Sequence, residues 1–131
     1  MIGLDTNVLV RYLVRDDPIQ FGKAIDLIEG RLSVDEPGFV SVVATAELVW
    51  VLDRAYGFSD SEIAAAIERM LQADALMVES ETEVFTAMIA LREGRGSFSD
   101  ALIGALGGKA GCAHTLTFDR KALRLPGFAL I

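Results

Sequence analysis

Residues 1–13 read MIGLDTNVLVRYL, a stretch that joins a short apolar run to an amphipathic helix through one carboxylate. The apolar run, residues 1–4, predicts a brief buried strand, and the periodicity after Asp5 predicts a helix. Parallel α/β proteins bind ligands in crevices at the carboxyl ends of their strands, which is where Asp5 falls. Asp is also a favoured N-cap residue, so helix capping is a second explanation for this position.

The same alternation of strand and helix continues along the chain. We predict strands at residues 39–43, 76–78, 114–118 and 128–131, and helices at residues 17–30, 44–56, 59–73, 81–95, 99–107 and 119–123. Short strands that alternate with helices indicate an α/β fold with a mainly parallel sheet. At 131 residues the chain is long enough for one domain, 1–131, and too short for two ordinary ones.

The composition limits the classes of partner. Hydrophobic residues make up 52% of the chain and the mean hydropathy is +0.40, so some apolar surface is expected to meet a partner, either a second copy or another protein. The net charge of −7, from 19 acids and 12 bases, argues against a passive nucleic-acid binder. It does not exclude a metal-dependent enzyme that acts on phosphates, because a bound cation inverts the local field.

The cysteine content and the apolar runs indicate a cytoplasmic protein. Cys112 is the only cysteine, which rules out an intramolecular disulfide, and its small neighbours predict a buried, unreactive position. The first residues lack the basic lead-in of a signal peptide. The longest apolar stretch, residues 39–52, is too short to span a bilayer, so no membrane association is expected.

Glu47 is the strongest anomaly in the sequence. It lies within residues 42–52, a stretch so apolar on all sides that we expect a largely buried helix. A buried carboxylate without a partner is strongly destabilising, and no basic residue lies three or four positions from Glu47. The compensation would come from a distant basic residue, from backbone amides or from a metal ion.

Two further acids occupy the starts of helices. Ser99 can cap a helix that begins near it, which puts Asp100 in the first turn, where the helix dipole favours an anion. Asp119 follows the strand at residues 114–118 and repeats the strand, acid and helix order of Asp5. Asp5, Asp100 and Asp119 taken singly are explained by their positions at helix starts, but together with Glu47 these carboxylates could hold hard divalent cations, which prefer oxygen ligands.

Other chemistries fit the sequence poorly. One histidine and one cysteine cannot form a zinc site of the usual kind, and there is no glycine-rich phosphate loop. His114 lies at a strand start without a nucleophile elbow, so a catalytic triad is not supported.

With these motifs in order, the chain resembles the PIN-domain ribonucleases, and most closely the VapC-type toxins of bacterial toxin–antitoxin pairs. The matching segments are Leu4-Asp5-Thr6-Asn7, Ala46-Glu47, Phe98-Ser99-Asp100-Ala101-Leu102-Ile103 and Thr117-Phe118-Asp119. The resemblance implies a three-layer α/β/α sandwich around a short, mainly parallel sheet, with the four acids gathered at one edge. It also implies cleavage of RNA phosphodiester bonds with Mg²⁺ or Mn²⁺.

The resemblance implies a role for each matching position. Asp5 and Asp100 would be the principal metal ligands, and Glu47 and Asp119 would complete or orient the site. Polar side chains would brace these carboxylates, although capping and turn bonding explain them equally well: Thr6, Asn7 and Thr117. The family further implies a cognate VapB-type antitoxin, and a homodimer fits the apolar surplus.

Basic residues near the inferred site are candidates for RNA phosphate contacts, with ordinary solvated surface as the alternative explanation. They are Arg11, Arg15, Lys109, Arg120, Lys121 and Arg124. The densest group is at residues 120–124.

Two other functions are compatible with the motifs. A catalytically silent PIN-like binding module would have the same fold, although the presence of all four acids gives no reason to prefer it. A haloacid-dehalogenase-type phosphohydrolase also begins with a strand and an Asp, but it needs a second acid two positions on, where this chain has Asn7.

Overall fold

A computed structural model describes all 131 residues of the chain. The strands are β1 (Ile2–Gly3), β2 (Gly38–Val40), β3 (Leu76–Val78), β4 (Thr115–Thr117) and β5 (Phe128–Leu130). The α-helices are α1 (Thr6–Leu13), α2 (Pro18–Ile25), α3 (Val42–Arg54), α4 (Asp60–Gln72), α5 (Glu81–Arg92) and α6 (Phe98–Lys109). A π-helical segment, Asp26–Arg31, continues α2, and a 3-10 helix, Arg120–Arg124, lies between β4 and β5.

All the strand pairs are parallel, which confirms an α/β fold with short parallel strands. The strands β1, β2 and β3 form one sheet in that order, with Gly3 opposite Phe39 and Val40 opposite Val78. The strands β4 and β5 form a second, two-stranded sheet with Thr115 opposite Phe128. The parallel strands are thus divided between two sheets, because β4 pairs with β5 and not with β1.

Several helix starts follow from the caps that the sequence contains. The Asp17 carboxylate accepts hydrogen bonds from two backbone amides at the start of α2, where Pro18 takes the first helical position. Ser59 and Glu62 form the expected capping box at the start of α4. These bonds satisfy amide groups that have no partner within the helix.

The predicted strand at residues 39–43 is shorter than expected, since α3 already begins at Val42. The Ser41 hydroxyl accepts a hydrogen bond from the amide of Ala44 at 3.0 Å, and Glu79 Oε1 accepts from the amide of Val42 at 2.7 Å. The two contacts satisfy the first amides of α3. Local capping therefore outweighs the strand preference of the β-branched residues at 42 and 43.

The core is a cluster of 28 buried hydrophobic residues between the three-stranded sheet and the surrounding helices. Helix α3 packs against α1 and α6, while α5 packs against α4 and α6. Thr45 is fully buried, and its hydroxyl donates to the Ser41 carbonyl at 3.1 Å. This packing fixes the positions of the helix starts that bear the candidate acids.

None of the helices has both the length and the apolar character that crossing a bilayer requires.

Burial differs from expectation in three places, the first of which is strand β1, where Ile2 is 46% exposed and Gly3 is exposed as well. Helix α3 is amphipathic: Val43 and Trp50 are 77% and 61% exposed, while Leu48 and Leu52 on the opposite face are fully buried. The apolar residues of α3 therefore lie on two faces of the helix, one buried in the core and one exposed to solvent. Cys112 is also exposed, because it follows the end of α6 and does not pack into the core.

Candidate functional site

Asp5 links the first sheet to the first helix. It follows β1 and is the N-cap of α1, and its Oδ1 accepts a hydrogen bond from the amide of Thr6 at 2.8 Å. Capping is therefore a real function of Asp5. The side chain is exposed and has no ion-pair partner, so its second oxygen is free to bind a ligand.

Glu47 is exposed on α3, which contradicts the expectation of a buried carboxylate. It lies four residues after Val43 and three before Trp50, so the three side chains share the exposed face of the helix. Solvent hydrates its charge, and no burial penalty has to be compensated. Its carboxylate has no hydrogen-bond or ion-pair partner in the protein.

Asp100 lies in the first turn of α6 and is partly buried. The cap of α6 is Ser97, whose hydroxyl accepts a hydrogen bond from the Asp100 amide at 3.1 Å, so the assignment of the cap to Ser99 is wrong. The Asp100 carboxylate itself has no partner in the protein. The helix dipole favours a negative charge at this position.

Asp119 follows β4 in the second sheet. Its Oδ1 accepts from the amide of Lys121 at 2.9 Å, which caps the 3-10 helix, and its own amide donates to the Thr117 hydroxyl at 3.0 Å. Thr117 therefore makes a turn bond with the backbone and does not contact the Asp119 carboxylate. Thr6 is buried and Asn7 is exposed, and neither side chain makes a hydrogen bond to a carboxylate.

The fold brings the helices of three of the four acids together but does not assemble the acids themselves into a metal site. Asp5 is the N-cap of α1, Glu47 and Asp100 lie on α3 and α6, and α3 packs against α1 and α6. Asp119 follows a strand of the other sheet. No group of three or more Asp, Glu, His or Cys side chains is arranged so that it could hold a metal ion.

The expected gathering of four carboxylates at one sheet edge is therefore not observed. Acids that follow parallel strands of one sheet lie at a common edge of that sheet. Asp5 and Asp119 do not meet this condition, because β1 and β4 belong to different sheets. In this arrangement the side chains do not fit a cation held by three or more carboxylates, and no reaction step is assigned to a bound metal.

The four candidate acids have no cationic partner, a property that they share with nine of the other 15 acids of the chain. The ion pairs of the structure are Met1–Glu36, Arg11–Asp16, Arg54–Asp53, Arg92–Glu68, Arg95–Glu93 and Lys109–Glu83. None of these pairs includes a candidate acid. An unpaired carboxylate can act as a general base that accepts a proton from water. One or two unpaired carboxylates can also ligate a hard cation together with water molecules.

Arg11 is already engaged and is a poor candidate for binding phosphate. Its guanidinium forms an ion pair with Asp16 at 2.9 Å and also donates to Gln20 and to the Tyr56 hydroxyl. The hydrogen bond to Tyr56 raises the pKa of Arg11 above its usual value, against the opposing effect of burial, and Asp16 adds to the increase. Arg15 lies over the ring of Phe21, 4.8 Å from its centre.

The basic side chains next to Asp119 are free. Arg120, Lys121 and Arg124 are exposed and have no acidic partner, whereas Lys109 is paired with Glu83 at 3.5 Å. Phe118 is 83% exposed beside them. We call these four residues, Phe118, Arg120, Lys121 and Arg124, the C-terminal basic patch.

Sequence reasoning missed two exposed aromatic residues near the candidate acids. The sequence predicts a buried helix around Trp50, and it places Phe118 in a strand and in the motif Thr117-Phe118-Asp119, so it predicts an exposed aromatic side chain at neither position. A signal for Phe118 exists in the predicted strand at residues 114–118, in which Leu116 and Phe118 are two positions apart, and Leu116 is also exposed, at 61%. For Trp50, the charge of Glu47 three residues before it was the available sign of an exposed face.

The comparison with protein families agrees with this arrangement of motifs. A model of the PIN domain family matches residues 2–127, from β1 to the turn before β5. The match contains all four candidate acids and most of the described fold. No curated protein sequence matches the chain. PIN domains are generally metal-dependent nucleases. Because the family match spans nearly the whole sequence, the chain belongs to the PIN domain family.

Proposed function

We propose that the protein is an endoribonuclease toxin of the VapC type that requires Mg²⁺ or Mn²⁺ and is restrained by a cognate VapB-type antitoxin. The observation that carries this proposal is the PIN match over residues 2–127, which includes every candidate acid. In the proposal, Asp5 and Asp100 are the principal catalytic carboxylates, and Glu47 and Asp119 assist them. The supporting residues are Thr6, Asn7 and Thr117.

The absence of a three-carboxylate group limits how a cation could bind. PIN domains typically use divalent metal ions. Mg²⁺ is usually held by one or two carboxylates together with water and substrate phosphates. A cation that arrives with the RNA is therefore compatible with carboxylates that are free but not clustered.

RNA attraction is assigned to the C-terminal basic patch. The net charge of −7 repels a polyanion, so binding needs a local region of positive charge. Arg120 and Lys121 immediately follow Asp119 and have no acidic partner to neutralise them. An exposed aromatic such as Phe118 adds a surface on which an unpaired base can stack.

Partner binding is supported by the apolar surface of α3 and α6. Val43, Trp50 and Ile103 are each more than half exposed, which is an unfavourable arrangement for an isolated protein in water. We propose that a homodimer contact and the antitoxin cover surfaces of this kind. We propose a cytoplasmic location, which the single cysteine favours because it allows no intramolecular disulfide.

A catalytically silent PIN-like binding module is the second candidate function, and the lack of a preformed metal group favours it. The haloacid-dehalogenase alternative loses its support, because the PIN family match covers the same strand and Asp on which that alternative depended.

An RNA cleavage assay tests the proposal. Purified protein is incubated with total RNA in Mg²⁺ or Mn²⁺, with and without excess chelator, after mass spectrometry has shown that no antitoxin peptide is bound. We expect new RNA 5′ ends only when the cation is present. Equal cleavage in chelator would refute the metal requirement, and no cleavage in any condition would favour the silent module.

The toxin role has a separate test. Induced expression of the chain in a bacterial host should arrest growth, and the Asp100→Asn variant should not. Asp35→Asn is the matched control, since Asp35 is an exposed, unpaired acid in the turn before β2. Normal growth with the unmodified chain at the same expression level would contradict the toxin assignment.

A further inference from the structure

Strand β3 is an edge of the three-stranded sheet, and no strand of the protein pairs with its outer side. The Ala75 carbonyl, just before β3, accepts a hydrogen bond from β2 at 2.8 Å, and the Glu79 amide, just after it, donates to β2 at 2.8 Å. Alternate residues of a strand direct their backbone groups to opposite sides. The backbone groups of Leu76 and Val78 therefore point away from β2.

Three of these backbone groups have no hydrogen-bond partner in the protein. The Leu76 amide donates to the Ala73 carbonyl at 3.0 Å, but the Leu76 carbonyl and both backbone groups of Val78 make no such bond. Unpaired amide and carbonyl groups at a sheet edge can pair with another extended chain. The outer side of β3 is therefore a place where a strand can be added.

An open groove of about 620 Å³ lies beside this edge, and all three residues of β3 line it. Two of its lining side chains are apolar and exposed: Val34 is 72% exposed, and Met77 is 50% exposed. In strand addition, backbone hydrogen bonds supply affinity, and contacts with alternate side chains supply specificity. The groove has both the room and the apolar surface that such side chains need.

The charge of the groove favours a basic occupant. Asp74 before β3 and Glu81 after it line the groove, and both are exposed and form no ion pair. Lys109, the only basic residue of the lining, is already paired with Glu83 at 3.5 Å. The unpaired carboxylates repel RNA, which is a polyanion. They also disfavour a second copy, since pairing of β3 with another β3 would bring acids against acids.

We propose that the free edge of β3 binds an extended, basic segment of a partner protein as an additional strand. The backbone of the segment bonds to Leu76 and Val78, and its basic side chains lie near Asp74 and Glu81. None of the four candidate nuclease acids lines the groove, so this inference does not depend on the proposed function.

Hydrogen exchange measured by NMR on the full chain tests strand addition. The probe is an end-blocked peptide of alternating lysine and valine, about seven residues long to match the stretch from Asp74 to Glu81. In the free protein the Val78 amide should exchange faster than the Met77 amide, which faces β2. Bound peptide should slow the Val78 amide about tenfold or more, and by a larger factor than the Met77 amide, because it supplies the missing acceptor.

Two results of this experiment would overturn the proposal. One is unchanged exchange at Val78 with about 1 mM peptide. The other is slowing at Val78 when the protein concentration alone is raised, which would show that a second copy occupies the edge.

Peptide affinities, measured by fluorescence anisotropy, separate the two parts of the recognition. A glutamate–valine peptide of the same length should bind about tenfold more weakly, because its charges are repelled. A lysine–valine analogue with N-methylated backbone amides should weaken by a similar factor, because it cannot donate to the edge. Equal binding of the first would refute charge recognition, and equal binding of the second would refute strand addition.

A pair of double variants locates the binding. Asp74→Asn with Glu81→Gln should weaken the lysine–valine peptide about fivefold, since two exposed charge pairs are lost. The matched control is Asp26→Asn with Asp60→Asn, which changes the net charge equally at exposed acids outside the groove. Asp60 is the first residue of α4, as Glu81 is of α5. Equal weakening in both double variants, or none in the first, would overturn the proposal.

Discussion

At the scale of single residues, partners decide which charged groups are available for chemistry. Arg11, Asp16 and Tyr56 form a closed group in which the Tyr56 hydroxyl accepts from Arg11 and donates to Asp16 at 2.9 Å. This hydrogen bond is the main reason why the pKa of the Asp16 carboxyl lies below its usual value, and Arg11 lowers it further. Asp5 and Asp100 have no such cationic neighbour and keep free oxygens for a ligand.

The Tyr56→Phe variant tests this group. Loss of the hydroxyl removes the largest cause of the shift, so we expect the pKa of Asp16 to rise toward its ordinary value, as measured by carboxyl ¹³C NMR titration. A carboxyl with a depressed folded pKa stabilises the protein above its unfolded pKa, and this stability is lost as pH falls through the folded pKa. In the Tyr56→Phe protein, the Asp16 carboxylate should therefore contribute less to the free energy of unfolding at neutral pH. Less of that free energy should be lost as the pH falls through the range in which Asp16 titrates.

An internal control is available in the same titration. The pKa of Glu62 is lowered mainly by the Ser59 backbone amide in the capping box of α4, away from Tyr56. It should be unchanged in Tyr56→Phe. An Asp16 pKa that stays at its original depressed value would show that the hydroxyl is not the cause.

At the scale of elements, the caps set the positions of the candidate acids. Ser97 caps α6, and Asp100 is held in the first turn by the hydrogen bond from its amide to the Ser97 hydroxyl. Ser99, two residues further on, is exposed and makes no side-chain hydrogen bond. Of these two serines, only Ser97 stabilises the helix through its hydroxyl, so Ser99 serves as a matched control.

The Ser97→Ala variant should lower the free energy of unfolding by about 1 kcal/mol, since it removes an N-cap hydrogen bond. Ser99→Ala is the control and should change it by less than about 0.5 kcal/mol, as is usual for a surface position. Urea unfolding followed by circular dichroism measures both. Equal effects of the two substitutions would contradict the cap assignment.

The local elements were largely predictable from the sequence, and the reasons are visible in particular residues. The caps at Asp5, Asp17 and Ser59 are short-range signals, since each side chain bonds to amides one to three residues away. The exposure of Glu47 was not predictable in this way. It depends on which face of α3 meets α1 and α6, and composition alone does not encode that choice.

At the scale of the whole molecule, the strands are divided between two sheets, and of the candidate acids only Asp119 follows a strand of the second sheet. The strands β4 and β5 pair with each other, and the second sheet packs on α6 through close contact at Gly104, where a Cβ atom would lie 2.6 Å from the Phe128 ring. The choice of β4 to pair with β5, and not with a strand of the first sheet, depends on contacts across the whole fold and not on a local motif. The sequence motifs identified the four acids, but they did not predict that Asp119 would follow a strand of a separate sheet.

The Gly104→Ala variant tests this packing. The added methyl group overlaps Phe128, so we expect a loss of about 1–3 kcal/mol in the free energy of unfolding, less any relief from ring movement. Gly108→Ala lies on the same helix with open space around the added atom, and it should stabilise the protein by about 0.5–1 kcal/mol. A stabilising Gly104→Ala would mean that the second sheet is not packed on α6 as described.

The central claim is that Asp5 and Asp100 of this PIN domain are required for RNA cleavage, and the most direct test is the cleavage rate of Asp100→Asn beside Asp35→Asn. The account expects a loss of about 100-fold or more for Asp100→Asn, with an unchanged unfolding midpoint, because the substitution removes a charge at the reacting centre. Asp35→Asn should cleave at the original rate. An Asp100→Asn protein that cleaves RNA at the original rate would contradict the assignment of the site.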